Sequence, residues 1–206
     1  PYAEENAGSG QWRNAVAHLA SDTSISEVLL SGGDPLSLST GKLQALSDAL
    51  RPLAHIRRLR IHTRLPVVLP DRIDGEFLAW LEALPWPCVM VIHANHANEL
   101  CDDVKAALAR LQASGAVLLN QSVLLAGVND DAQVLVDLSE RLFACGVMPY
   151  YLHQLDAVKG AGHFAVADST AVTLHKSLMA ALPGYLVPKL VREIAGEPNK
   201  SPVYGP

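Results

Sequence analysis

This chain has no apolar run of the roughly 18 residues needed to cross a bilayer, and no signal-peptide pattern opens it. It is poor in cysteine. Cys88, Cys101 and Cys145 stand 13 and 44 positions apart, which suits no CxxC-type metal or redox pair, and their odd number argues against a closed disulfide framework. Reduced, partly buried thiols are expected, as in a cytoplasmic protein. Charge is scarce too: 18% of 206 residues, against roughly 25% in ordinary soluble domains, so many positions should be buried. A net charge of -5 supplies no basic face, which argues against nucleic acid or an anionic membrane as the main partner. No stretch reads as a linker, and the length suits one sizeable domain.

What is present is a repeat. Apolar segments begin near Val28, Leu59, Cys88, Val117 and Val147, 29 to 31 residues apart. Helical patterns fill the gaps over Thr40 to Leu50, Asp74 to Leu84, Glu99 to Ser114 and Asp131 to Ala144, with Asp74 as an N-cap and Gly115 and Gly146 where C-caps belong. Continuously apolar strands at this period predict an α/β fold of about five βα units around a parallel sheet, closer to part of a (βα) TIM-like barrel than to a doubly wound sheet. A last helix is expected over Asp168 to Leu182, an extended piece over Tyr185 to Val191, and a loop from Gly196 to Pro206.

Each apolar segment ends in polar residues: Ser31-Gly32-Gly33-Asp34; His62-Thr63-Arg64; His93-Ala94-Asn95-His96; Asn120-Gln121-Ser122; and Tyr150-Tyr151 followed by His153, Gln154 and Asp156. In a parallel barrel such ends open on the ligand-binding face. Taken alone, Gly-Gly-Asp reads as a strand-to-helix turn with Asp34 as N-cap. His93 and His96, three apart, point to opposite faces of a strand, so a shared metal is disfavoured; a set of His93, His153 and Asp34 stays open. Lys200, in Gly196-Glu197-Pro198-Asn199-Lys200, reads as an exposed loop lysine or as a Schiff-base lysine for an aldehyde cofactor.

The stretches Ser31 to Leu36, Thr63 to Pro70, His93 to Glu99, Asn120 to Asp130, Pro149-Tyr150-Tyr151 and Gly184 to Lys200 resemble the lysine 2,3-aminomutase family, in order and over essentially the whole chain. Tyr151-Leu152-His153, Gly162-His163-Phe164 and Glu197 to Lys200 look most like the branch that supplies (R)-β-lysine for modification of elongation factor P. The resemblance implies a radical S-adenosylmethionine barrel that also uses pyridoxal 5'-phosphate and a [4Fe-4S] cluster. The reaction it implies moves the amino group of L-lysine from carbon 2 to carbon 3, in the cytoplasm.

By the same resemblance, Ser31, Gly32, Gly33 and Asp34 hold the amino end of S-adenosylmethionine, and His93 and Gln121 lie near its adenosyl group. Lys200 forms the Schiff base with pyridoxal phosphate. Asp156 binds the substrate ε-ammonium together with Glu193, where the family's aminomutases carry aspartate. The domain expectation is a partial barrel over 1–182 and a lysine-bearing segment over 183–206. No CxxxCxxC, the family's cluster motif, is found. In the family that motif lies just before a Pro-Tyr dipeptide like Pro1-Tyr2. The chain is therefore expected to be an inactive fragment lacking the first strand and the cluster loop. Self-association stays open. So do two other readings: a metal-dependent barrel hydrolase or lyase using His93 and His153, and a degenerate cofactor-binding protein.

Overall fold

The computed structural model describes residues 9–203, so Pro1-Tyr2 and Gly205-Pro206 lie outside the described residues. In chain order the main elements are α1 (Ser9–Ser21), β1 (Glu27–Leu30), α2 (Thr40–Leu50), β2 (Arg58–Thr63), α3 (Leu65–Val68), α4 (Gly75–Glu82) and β3 (Cys88–His93). They continue as α5 (Asp102–Ala113), β4 (Val117–Val123), α6 (Ala132–Ala144), β5 (Met148–His153), α7 (Asp168–Ala181), β6 (Lys189–Arg192) and β7 (Ser201–Pro202). Strands β1 to β5 all lie at the apolar segments of the 30-residue repeat.

The caps explain the helix boundaries. Asp74 accepts from the Phe77 amide at 2.8 Å and opens α4; Asp131 accepts from the amides of Gln133 and Val134 and opens α6. Gly115 and Gly146 take positive φ after α5 and α6, the left-handed step that ends a helix and that a side chain resists.

The chain forms two compact units. The first comprises residues 9–92 and 107–118. In it β1 pairs parallel with β2 and β2 with β3, in the registers Leu30↔Ile61 and Ile61↔Met90. Its core is apolar and closed: Leu36, Leu43, Ile61, Phe77 and Met90 are fully buried. The second comprises residues 93–106 and 119–203. There β4 pairs parallel with β5 and β5 with β6, while Leu124, Leu135, Leu152, Leu178 and Leu190 pack as one cluster.

Three local features depart from the sequence expectation. The tail is not all loop. After Gly196 (φ +89) reverses the chain, β7 returns antiparallel to β6 through Arg192↔Ser201. Proline is tolerated at position 202 because an edge strand needs no donor there. The helix expected from Glu99 instead begins at Asp102, because Glu99 closes a 3-10 turn over Ala97–Glu99 with a capping box to His96. Tyr185 to Val191 splits into a 3-10 turn over Gly184–Leu186 and β6. Among the described residues no helix is long and apolar enough to cross a membrane.

Candidate functional site

In the first unit the turn after β1 is organised by Asp34. Its Oδ1 accepts from the Leu36 amide at 3.0 Å and from the Thr63 hydroxyl at 2.6 Å, and its Oδ2 accepts from the Arg64 amide at 2.6 Å. Thr63, at 1% exposure, in turn accepts from the Leu65 amide at 3.1 Å. One carboxylate thus caps the 3-10 turn over Pro35–Ser37 and ties the end of β1 to the end of β2. About three of its roughly four lone-pair sites are taken, leaving one on Oδ2. Ahead of it Gly32 and Gly33 both have positive φ, and no atom lies within 4 Å of where a Gly32 side chain would start. Ser31 is exposed. The backbone here is bare enough for a ligand to approach closely.

In the second unit, polar side chains fix the ends of β3 and β4. Asn120 Oδ1 accepts from the Ala94 amide at 2.8 Å, and its Nδ2 donates to the Ala94 carbonyl and to Ser122 Oγ. Asn95 Oδ1 accepts from the Val123 amide. Asn129 is fully buried, donates to the Asn95 and Val123 carbonyls and accepts from the Leu125 amide. These bonds pair polar groups that burial would otherwise leave costly, and they present His93 and Gln121 side by side. Gln121 Nε2 lies 3.0 Å from His93 Nε2, while Gln121 Oε1 is buried and accepts no hydrogen bond from the described residues. That acceptor remains available to a donor brought by a ligand.

Between β4 and β5 the register slips, so that Asn120 faces Pro149 and Gln121 faces Tyr151. Such a bulge re-aims side chains at a strand end. Tyr151 meets His153 edge-on, with ring centroids 5.5 Å apart, and Lys200 Nζ sits 5.7 Å from the Tyr151 centroid. Lys200 Nζ also donates to Glu193 Oε1, and the side chain is only 25% exposed. It is no free loop lysine: the β6–β7 return draws it back beside β5.

A cavity of about 250 Å³ lies in the same unit. Its charged and polar lining is Gln154, Asp156, Asp168, Arg192 and Glu193. Asp156 and Glu193, thirty-seven positions apart in sequence, thus meet at one opening. Asp168 and Arg192 form an ion pair within it.

No group of three or more His, Cys, Asp or Glu that could hold a metal ion occurs among the described residues. Residue-by-residue reading of the sequence missed Thr63 as the partner of Asp34, and missed Asn129, Asp168 and Arg192. Only Asn129 left a trace, in Gly127-Val128-Asn129-Asp130, and that trace reads as an ordinary turn.

No family model matches the chain. It is 50% identical over 201 residues to an L-lysine 2,3-aminomutase of Haemophilus influenzae, and 46% identical over 203 residues to one of Escherichia coli. Each alignment covers 98% of this chain but only 60% and 59% of the relative, so the chain spans about three-fifths of the length of these curated relatives. Among solved structures, a radical SAM methyltransferase from Sphaerobacter thermophilus matches with a TM-score of 0.56 at 15% identity, over 89% of this chain and 55% of that one. This last likeness shows the fold alone: the α/β fold of a radical SAM enzyme.

Proposed function

The chain is a homologue of the L-lysine 2,3-aminomutases, and from that premise we propose that it forms the cofactor- and substrate-binding part of such an isomerase. The product is β-lysine, and its use is the modification of elongation factor P. One observation supports this reading above the others. Glu193 is bonded to Lys200 and also lines a cavity with Asp156. A lysine amine therefore sits beside an acidic opening, the arrangement needed to hold an aldehyde cofactor at one point and a cationic side chain at another.

The residues fit two of the expected groups. Pyridoxal phosphate, when bound, supplies an electron sink at the substrate nitrogen. Lys200 is the residue that would hold it, with Tyr151 packed against the amine and Glu193 keeping that nitrogen in place. S-adenosylmethionine fits the bare backbone of Gly32 and Gly33, and the spare lone pair of Asp34 can accept from its ammonium. His93 and Gln121 offer a ring nitrogen and an unmatched acceptor, which suit a base edge. The [4Fe-4S] cluster does not fit: the described residues offer no set of ligands for it. No step is derived through it.

In this reading Asp156 and Glu193 select lysine by its terminal ammonium, and Glu193 is shared between that group and Lys200. Reduction of the intact protein with borohydride in the presence of pyridoxal phosphate, followed by peptide mapping, tests the assignment. The label is expected on Lys200; a label on Lys189 or any other lysine overturns it.

A further inference from the structure

Behind His93 and Gln121 stands a side chain that takes the place of a peptide group. Asn120 and Gln121 are neighbours on β4, so their side chains leave opposite faces of the strand. Asn120 is 1% exposed. Its Oδ1 accepts from the Ala94 amide at 2.8 Å, and its Nδ2 donates to the Ala94 carbonyl at 3.1 Å. Ser122, buried on the same face as Asn120, donates to that carbonyl at 2.9 Å and accepts from Asn120 Nδ2, also at 2.9 Å. Both amide protons of Asn120 and both lone pairs of the Ala94 carbonyl are therefore used. Ala94 directly follows His93, and Asn120 directly precedes Gln121, so this clamp grips the two backbone positions from which those side chains extend. Gln121 Nε2 then donates to His93 Nε2 at 3.0 Å, which puts the ring proton of neutral His93 on Nδ1. Gln121 Oε1 is left as the buried acceptor that no described residue fills.

We propose that Asn120 is a positioning residue for the nucleoside end of the ligand site. By gripping Ala94 it commits the Gln121 amide nitrogen to His93, fixes the His93 tautomer and leaves one acceptor for an N–H or O–H donor of the ligand. Asn120 itself is closed away on the other face of β4 and acts only through its neighbours. Asn120→Asp keeps the size and the bond to the Ala94 amide, but sets a carboxylate oxygen against the Ala94 carbonyl and so opens the clamp. The inference rests on the reading of His93 and Gln121 as contacts of S-adenosylmethionine.

Heteronuclear NMR of the ring nitrogens at mildly alkaline pH, where an imidazole is neutral, reads the tautomer. Titration with S-adenosylhomocysteine reads the site. In the intact protein His93, assigned by its loss in His93→Gln, should carry its proton on Nδ1. Asn120→Asp should move it towards a mixture of both tautomers and weaken S-adenosylhomocysteine about tenfold. Ser122→Ala removes one of the two donors to the Ala94 carbonyl, and should shift the tautomer the same way and weaken the ligand about threefold. A His93 protonated on Nε2 in the unaltered protein, or an Nδ1 tautomer that persists in Asn120→Asp, overturns the proposal. Should Asn120→Asp fail to fold, Ser122→Ala decides alone, and an unchanged tautomer and affinity there overturn it. Leu178→Ala, in the core of the same unit, should lower stability yet leave tautomer and affinity unchanged. A tautomer shift there as large as that in Asn120→Asp overturns the proposal, because lost packing would then explain both. Gln121→Met should weaken the ligand at least as much as Asn120→Asp. No loss in Gln121→Met overturns the nucleoside reading itself, whereas a loss there with none in Asn120→Asp overturns the role of Asn120.

Discussion

Two acidic settings, one in each unit, show how differently the same functional group can be used. In the first, Asp34 is consumed by the protein: a backbone amide, a hydroxyl and a second backbone amide all donate to it. In the second, Asp156 and Glu193 are exposed at a cavity, where Glu193 pairs with Lys200 and Asp168 with Arg192. The first carboxylate builds a turn that offers bare backbone to a ligand. The second pair offers its charge. The contrast predicts that substitutions in the first setting act on folding, whereas those in the second act on binding.

The largest effect is expected at Asp34. Asp34→Ala removes the cap of the 3-10 turn and leaves the amides of Leu36 and Arg64 and the hydroxyl of Thr63 without their acceptor. About 2–3 kcal/mol of stability should be lost, measured by denaturant unfolding. A loss below about 0.5 kcal/mol would place Asp34 with the cavity acids and break the comparison.

Next comes Thr63→Val, which keeps shape and burial while deleting the hydroxyl between Asp34 and the Leu65 amide. It should cost about 1–2 kcal/mol, and Thr63→Ser should recover most of that. Equal losses for both variants would point to the methyl group rather than the hydrogen bonds.

How much of this was legible beforehand follows the range of the interactions. The repeat, five strands and the cap at Asp74 are local, and their pattern alone predicts them. So is the capping role of Asp34, visible in Gly33-Asp34-Pro35. The bond from Asp34 to Thr63 spans 29 positions and that from Asp168 to Arg192 spans 24. Both depend on strand register, and no local pattern encodes that. The short α3 was hidden for another reason. Leu65-Pro66-Val67-Val68 has the apolar and β-branched content of a strand, yet Pro66 falls in the first turn, where it is tolerated. Lys200 was legible as a chemical candidate but not as a placed one, because the β6–β7 return that withdraws it from solvent runs through prolines and polar residues.

A third test uses the thiols. Cys88 opens β3 in the first unit, and burial pushes its thiol up to about 12, whereas Cys101 in the second unit is exposed. At mildly alkaline pH iodoacetamide should label Cys101 and spare Cys88, since only a thiolate reacts. The sign for stability follows from the same burial. Above the ordinary thiol range the unfolded chain releases the Cys88 proton while the folded chain keeps it. Stability therefore falls as pH rises from about 9 towards 12, by about 1.4 kcal/mol one unit above the ordinary value. Cys88→Ala should remove that slope. Early labelling of Cys88 in the native protein would show that the core of the first unit is open.

The smallest effect on stability is expected where the proposed effect on binding is greatest. Glu193 and Asp156 are exposed, and an exposed ion pair such as Lys200 with Glu193 contributes little to folding. Glu193→Ala and Asp156→Ala should each change unfolding free energy by less than about 0.5 kcal/mol, within the range of ordinary surface substitutions. In the full-length protein each should nonetheless weaken lysine relative to norleucine, because each removes a carboxylate that faces the ammonium. Glu193→Ala carries an additional signature that Asp156→Ala lacks: it frees the Lys200 amine from its acidic partner, so modification of Lys200 by an aldehyde should change in rate. If Glu193→Ala lowered stability as much as Asp34→Ala while leaving the lysine preference intact, the acid beside Lys200 would be a structural group like Asp34, and the two settings would be one.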